Sequence, residues 1–295
     1  GPTLMQFGTP AQRTELLPKI LKGQLHFSIG YSEPGAGTDL ASLTTKAVRD
    51  GDEYVINGQK MWTSLIQYAD YVWLATRTDP DVAKHKGLSM FLVPTDVEGF
   101  SWTPVHTMAG TSTSATFYQD VRVPATNLVG ELNGGWRLIT NQLNHERVAL
   151  CSAAPIQNAL ADVRRWAHDT TLPDGRRVID QEWVQVHLAR IHAKVEFLKL
   201  INWKIAWGVK NGVGPQDASA TKVFGTEFAT EAYRLLMEVL GQESTIQLRS
   251  PGSILRSRVE RMYRSSLILT FGGGTNEVQR DIIAMVGLGL PRAPR

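Results

Sequence analysis

The sequence predicts an α+β protein in which strands and helices are segregated along the chain. Residues 25–128 carry short runs rich in Val, Tyr, Trp and Thr, broken by Gly, Pro, Asn and Asp, which is the spacing of an all-β module. From Gly134 onward the apolar residues recur at intervals of three and four, the period of helices that bury one face. The expected division is a short helical segment over residues 1–24, a β domain over 25–128 and a helical domain over 129–295.

Taken in order, residues 9–22 (TPAQRTELLPKILK) open on Thr9-Pro10 and place Leu16, Leu17, Ile20 and Leu21 on one helix face. In EYVINGQKMWT, Asn57-Gly58 separates two strand-like runs and predicts a hairpin turn, because both residues tolerate positive φ. YADYVWLATRT and GLSMFLVPTD read as further strands, and VRVPATNL (121–128) leaves the β module. Residues 134–170 read as one long helix kinked at Pro155. Helices are expected over 181–211, 216–241 and 257–269, then a glycine run from Phe271 to Gly274 and a last helix opening near Thr275.

Composition excludes several classes. A net charge of +3 among 295 residues, with no basic run interleaved with aromatics, argues against nucleic acid. The single Cys151 excludes an internal disulfide framework, no Cys/His cluster has metal-ligand spacing, and a reducing compartment follows. No apolar run approaches the roughly 20 residues that span a bilayer, and GPTLMQFGTP lacks a signal-peptide pattern. A cytoplasmic protein without metal or membrane partners is the expectation.

Four stretches carry chemistry. In GGWRLITNQLNHERVALCSAA (134–154), Trp136, Ile139, Leu143 and Leu150 mark a buried helix face, and Glu146 completes the series. A carboxylate beside an apolar cavity is a plausible general base; the same position also suits a core-edge glutamate paired with Arg147. SIGYSEPGAGTD (28–39) is a glycine-rich turn whose Gly35 and Gly37 let backbone N–H groups approach a phosphate, with Thr38 adding a hydroxyl; a tight turn between strands reads equally from it. Neither GxGxxG nor GxxxxGK[ST] is present. Met61-Trp62-Thr63-Ser64 offers an aromatic for stacking and two hydroxyls, or a core aromatic. FGGGTNEVQR (271–280) sets a loop before a helix start, suited to an anion or carbonyl, or an ordinary interhelical turn.

In their order and spacing, SEPGAGTD, INGQKMWTS, DVRVPATNLVGE, the Gly-Gly-Trp helix and GGGTNEVQRDIIA resemble the acyl-CoA dehydrogenase family of flavoproteins, over nearly the whole chain. The resemblance implies FAD held between a β-barrel middle domain and a C-terminal four-helix bundle, with residues 1–24 the remnant of an N-terminal helical domain. It assigns Ile29, Tyr31, Ser32, Gly37 and Thr38, then Trp62, Thr63 and Ser64, then Thr275, Asn276 and Glu277 to the cofactor. Thr38, Asn144, Arg147 and Gly274 are assigned to the acyl-CoA substrate.

Most members of the family carry their catalytic base as EGT in the loop before the last helix, where this sequence has Gly273-Gly274-Thr275. A minority, of the isovaleryl type, carry it in LxxER on the long helix, which Leu143-Asn144-His145-Glu146-Arg147 matches. The resemblance therefore implies α,β-dehydrogenation of an acyl-CoA, with Glu146 taking the α-proton, hydride passing to flavin N5, the Gly273 N–H supporting the enolate oxygen, and an electron-transfer flavoprotein as acceptor. Gly272 beside Gly273 would widen the pocket for a bulky or branched acyl group.

Two departures concern segments that family members donate to a neighbouring subunit's FAD. RxxFG is replaced by Leu172-Pro173-Asp174-Gly175-Arg176, and QxxGGxG by Glu238-Val239-Leu240-Gly241-Gln242-Glu243-Ser244. That pattern resembles the α2β2 heterotetrameric acyl-CoA dehydrogenases of actinobacterial steroid side-chain degradation, and implies a homologous partner subunit, with a homo-oligomer as the alternative. Two alternatives share the fold: flavin monooxygenase or nitroalkane oxidase chemistry, and a non-catalytic structural partner.

Overall fold

Eight strands form one sheet in the order β6-β7-β3-β2-β4-β5-β8, with β1 paired to β4. They are β1 Phe27–Gly30, β2 Lys46–Asp50, β3 Glu53–Lys60, β4 Tyr71–Arg77, β5 Leu88–Pro94, β6 Phe100–His106, β7 Ser112–Pro124 and β8 Leu128–Val129. The computed structural model describes residues 1–208 and 214–292. It divides into two units, Gly1–Thr107 with Thr111–Leu143, and Met108–Gly110 with the chain from Asn144 onward.

The first unit holds the sheet, the short helix α1 (Pro2–Phe7), helix α2 (Pro10–Leu21) and the start of α3 (Gly135–Ala149). Thr9 caps α2 in a reciprocal box with Gln12, as the Thr9-Pro10 start predicts. Leu4, Leu16, Leu138 and Ile139 share a core cluster with Tyr31, Trp73, Leu88 and Met90, so helices cover one sheet face. Leu16 is buried and Leu17 and Ile20 pack partly, but Leu21 is 90% exposed because the helix ends there. A second cluster, with Ile56, Leu74, Phe91, Tyr118 and Val121 at its centre, fills the other face. Strand β5 is buried on both sides over most of its length, which explains its unbroken apolar run.

The hairpin expected at Asn57-Gly58 lies elsewhere. β2 and β3 turn at Gly51-Asp52, where Gly51 has φ +59°, and Asn57-Gly58 sits inside β3 at a register shift against β7. The Asn57 amide exchanges two 2.9 Å bonds with Asp120, and a Cβ at Gly58 would lie 2.7 Å from Thr45 Cα. Close backbone approach, and not reversal, is what requires glycine here.

The second unit is helical: the end of α3, α4 (Ala154–Asp169), α5 (Glu182–Gly208), α6 (Pro215–Leu240), α7 (Arg258–Ser266) and α8 (Asn276–Ile282). Its core joins Val163, Ile191, Val195, Leu198, Leu236 and Val259. Burying each such side chain contributes about 1.5–3 kcal/mol. Residues 209–211 of the helix expected over 181–211 lie outside the described residues. The helix expected over 134–170 is two, broken at residues 150–153. Pro155 occupies the first turn of α4, and its ring would clash with the Cys151 carbonyl in a continuous helix. That carbonyl instead accepts from Asn202 Nδ2 at 3.1 Å. The break also leaves Leu150 36% exposed, so the expected apolar series stops at Leu143. α7 is shorter than expected because a 3-10 turn, Leu267–Thr270, takes over its C-terminal end. Among the described residues no helix is long and apolar enough to cross a membrane.

Candidate active site

The helical period of α3 brings Glu146 to the glycine run. Glu146 is half-buried, and a Cβ built on Gly273 would lie 3.8 Å from its Oε1 and 3.8 Å from Leu150 Cδ1. The carboxylate from the long helix thus arrives beside the point from which a side chain in the loop would grow. Gly273 and Gly274 have φ of +72° and +94°, a conformation that suits glycine alone at modest cost. Among the described residues the Gly273 N–H donates to nothing.

Arg147, 7% exposed, donates through Nε to the Gly273 carbonyl at 3.1 Å and through Nη1 to Asn144 Oδ1 at 2.9 Å. Burial lowers its pKa, and Glu146 partly offsets this. Thr275 caps α8, its hydroxyl accepting from Val278 N at 3.3 Å. The Asn276 side chain is enclosed: its Nδ2 donates to Thr226 Oγ1 and Glu227 Oε1, each at 3.1 Å, and its Oδ1 accepts from Lys222 at 2.8 Å. Glu277 is exposed on the first turn.

In the first unit, the glycine-rich turn follows β1, which carries Ile29. Tyr31 is buried, its hydroxyl accepting from Trp73 Nε1 at 3.0 Å, and the Ser32 carbonyl accepts from Met61 N at 2.8 Å. Gly37 and Thr38 are exposed with open space around Gly37, and among the described residues neither N–H has a partner. Trp62 is 54% exposed at φ +67°, so it is no core aromatic. A bulky residue held in the left-handed region marks strain that surrounding structure must impose. Thr63 imposes it: fully buried, it donates its N–H to the Ser114 carbonyl at 2.9 Å and pairs its hydroxyl with Thr116 at 3.3 Å. Ser64 Oγ donates to Thr113 Oγ1 at 3.1 Å.

Two buried cations behind these segments escape a reading of motifs. Lys60 donates to Glu33 Oε1 at 2.9 Å and to the Tyr31 carbonyl at 3.1 Å, while Glu33 also accepts from Thr44 and Thr45. Lys222 is fully buried on α6. Its position follows Ala218 by four and precedes Gly225 and Ala229 by three and seven, a spacing that would have revealed an inward lysine.

The family described as "Acyl-CoA dehydrogenase, middle domain" matches residues 28–121, and "Acyl-CoA dehydrogenase, C-terminal domain" matches residues 133–288. The chain belongs to the acyl-CoA dehydrogenases, FAD-dependent oxidoreductases acting on a CH–CH bond. Among its relatives, acyl-CoA dehydrogenase FadE26 of Mycobacterium tuberculosis is 68% identical over 302 residues, covering 100% of this chain and 76% of that protein. The crystal structure of the ChsE4-ChsE5 complex from Mycobacterium tuberculosis aligns at a TM-score of 0.92 and 69% identity, covering 99% of this chain and 76% of that one. The Tcur3481-Tcur3483 steroid ACAD structure aligns at a TM-score of 0.92 and 51% identity, covering 99% of this chain and 75% of that one.

Proposed function

We propose that this chain dehydrogenates a bulky, steroid-side-chain type acyl-CoA at its α,β bond, with Glu146 as the base. The observation that carries the proposal is Glu146 Oε1 lying 3.8 Å from the Cβ position of Gly273, because a base on the helix then serves the same point as a base in the loop. Glu146 takes the α-proton. The Gly273 N–H stabilises the enolate oxygen that develops, a role in which one preorganised donor is worth about 3 kcal/mol. Asn144, Arg147, Gly274 and Thr38 serve the CoA ester.

The residues fit FAD. Trp62 presents an aromatic face on a strained backbone, and Gly37 and Thr38 leave N–H groups for a phosphate. Ile29, Tyr31, Ser32, Thr63 and Ser64 would contact it, as would Thr275, Asn276 and Glu277, the enclosed side chain of Asn276 leaving its backbone for contact. FAD, when bound, supplies the hydride acceptor for the β-carbon, and electrons pass on to an electron-transfer flavoprotein.

A homologous second subunit would complete the assembly. Leu172, where a flavin-binding arginine is expected, instead packs against the helical core. Arg176 beyond it is tied to Asp174 at 2.6 Å. Along α5, Phe197, Leu200, Trp203 and Trp207 are 51–90% exposed and supply apolar surface for such a partner. The similar ChsE4-ChsE5 complex and Tcur3481-Tcur3483 steroid ACAD support the same reading. Turnover of short, branched and steroidal acyl-CoA esters with an artificial electron acceptor tests the activity, and turnover of none of them rejects it. Flavin content of the chain expressed alone tests the assembly: a stoichiometric FAD homotetramer refutes the heteromer.

A further inference from the structure

The ammonium of Lys222 has three protons and three acceptors: the Thr270 carbonyl at 3.1 Å, the Gly274 carbonyl at 2.6 Å and Asn276 Oδ1 at 2.8 Å. Thr270 precedes the glycine run and Gly274 closes it, so one side chain ties both ends of the loop. The tether is anchored on α6 among Ala218, Ser219, Gly225 and Thr226, all buried. α6 in turn is held close to the α3–α4 break, since a Cβ on Gly225 would lie 2.7 Å from Cys151 Cβ. Between the two tied ends lies a segment that most needs holding, because consecutive glycines at positive φ have little conformational preference of their own.

We propose that Lys222 is the positioning residue of the active-site loop, setting the direction of the Gly273 N–H toward the substrate's carbonyl oxygen. Lys222 itself touches neither substrate nor cofactor; it acts through the carbonyls of Thr270 and Gly274. Arg147 complements it by holding the intervening Gly273 carbonyl at 3.1 Å. Keeping a charged lysine out of water is unfavourable, and two bonds to the loop carbonyls and one to Asn276 at the start of α8 offset it. Burial pushes the Lys222 pKa down to about 8, with Arg147 adding to the fall and Glu277 and Glu227 opposing it. The Cys151 thiol, pushed up by burial to about 12, stays protonated through that range.

The inference rests on the Gly273 role proposed above, and an acyl-CoA with sulfur in place of its C3 methylene separates the two. This analogue can lose its α-proton but has no β-hydride to give, so its enolate accumulates and reads as long-wavelength absorbance in the flavoprotein. In the parent, raising pH develops the band; in Glu146→Gln no band develops. No band in the parent would overturn the Glu146 and Gly273 reading itself, and the Lys222 assignment with it. With the band present, Lys222→Met is expected to raise the midpoint of its pH titration by about 1–2 units, a 10- to 100-fold loss of enolate stabilisation. Affinity for the uncharged ester at low pH changes by a smaller factor than the midpoint shift, since Asn144, Arg147 and Thr38 carry ground-state contacts outside the tethered loop. An unmoved midpoint overturns the assignment. Because a poorly folded variant gives no reading, the unaltered flavoprotein provides a second measurement. Amide hydrogen exchange across residues 270–276, relative to intrinsic rates, rises between pH 7 and pH 9.5 if the charged ammonium holds the loop. A flat ratio overturns the proposal.

Discussion

Replacing Lys60 by methionine strands a buried carboxylate, and the consequence can be worked out from both ends of the pair. Glu33 is 7% exposed and Lys60 not at all. Burial alone would raise the Glu33 carboxyl, but the Lys60 ammonium and the donors of Thr45 and Thr44 outweigh it and hold the pKa at about 2. A fall from 4.5 to about 2 is worth about 3 kcal/mol of stability. Lys60 moves the unfavourable way: burial drives it from 10.5 to about 8, with Glu33 opposing and Arg77 reinforcing, which costs about 3 kcal/mol. A buried ion pair of this kind contributes little net at neutral pH, while breaking it is expensive. Lys60→Met should destabilise by about 3–5 kcal/mol, or on the order of 10 °C in Tm. The double variant Glu33→Gln/Lys60→Met should recover much of that, giving a coupling energy of at least about 1 kcal/mol in a double-mutant cycle. The sign with pH follows from the same values. The Glu33 contribution is complete above pH 4.5 and lost as pH falls toward 2, whereas the Lys60 penalty is complete below pH 8 and relieved as pH rises toward 10.5. Urea unfolding of the chain from pH 3 to 10 reads these limbs. A single variant losing less than about 1 kcal/mol, or keeping the parent's acid limb, would refute the reasoning, because Lys60 is what holds the Glu33 carboxyl down.

Two further predictions test the fold and the assembly. Gly58→Ala drives a Cβ to 2.5 Å from Thr45 Oγ1, and should lower unfolding free energy by about 1–3 kcal/mol in chemical denaturation. Trp203→Asp, on a residue 64% exposed, should leave the melting of the isolated chain within about 0.5 kcal/mol of the parent. In the presence of the partner subunit it should weaken assembly at least about 30-fold by analytical ultracentrifugation.

Much of the architecture is legible from period alone: strands before helices, the Thr9 and Thr275 caps, and the inward position of Glu146 at half-burial all follow local rules. The misplaced hairpin shows where such rules stop. Asn-Gly serves a two-residue turn and a bulge equally well, and only the pairing of Asn57 with Asp120, 63 positions away, decides between them. Similarly, Pro155 signals a break but not its place, since the capture of the Cys151 carbonyl by Asn202 is a tertiary bond. Lys60 and Lys222 stayed hidden because lysine reads as solvent-facing, and their partners are mainly backbone carbonyls and one distant carboxylate.

The central claim is that a glutamate on α3 stands in for a base in the glycine loop, and Glu146→Gln tests it most directly. The substitution preserves shape and one acceptor oxygen while removing the ability to accept the α-proton. In the reconstituted flavoprotein, bound FAD should match the parent, and turnover of a steroidal acyl-CoA with an artificial acceptor should fall by about 10²–10⁴-fold. Turnover within a few fold of the parent, at equal flavin content, would contradict the account.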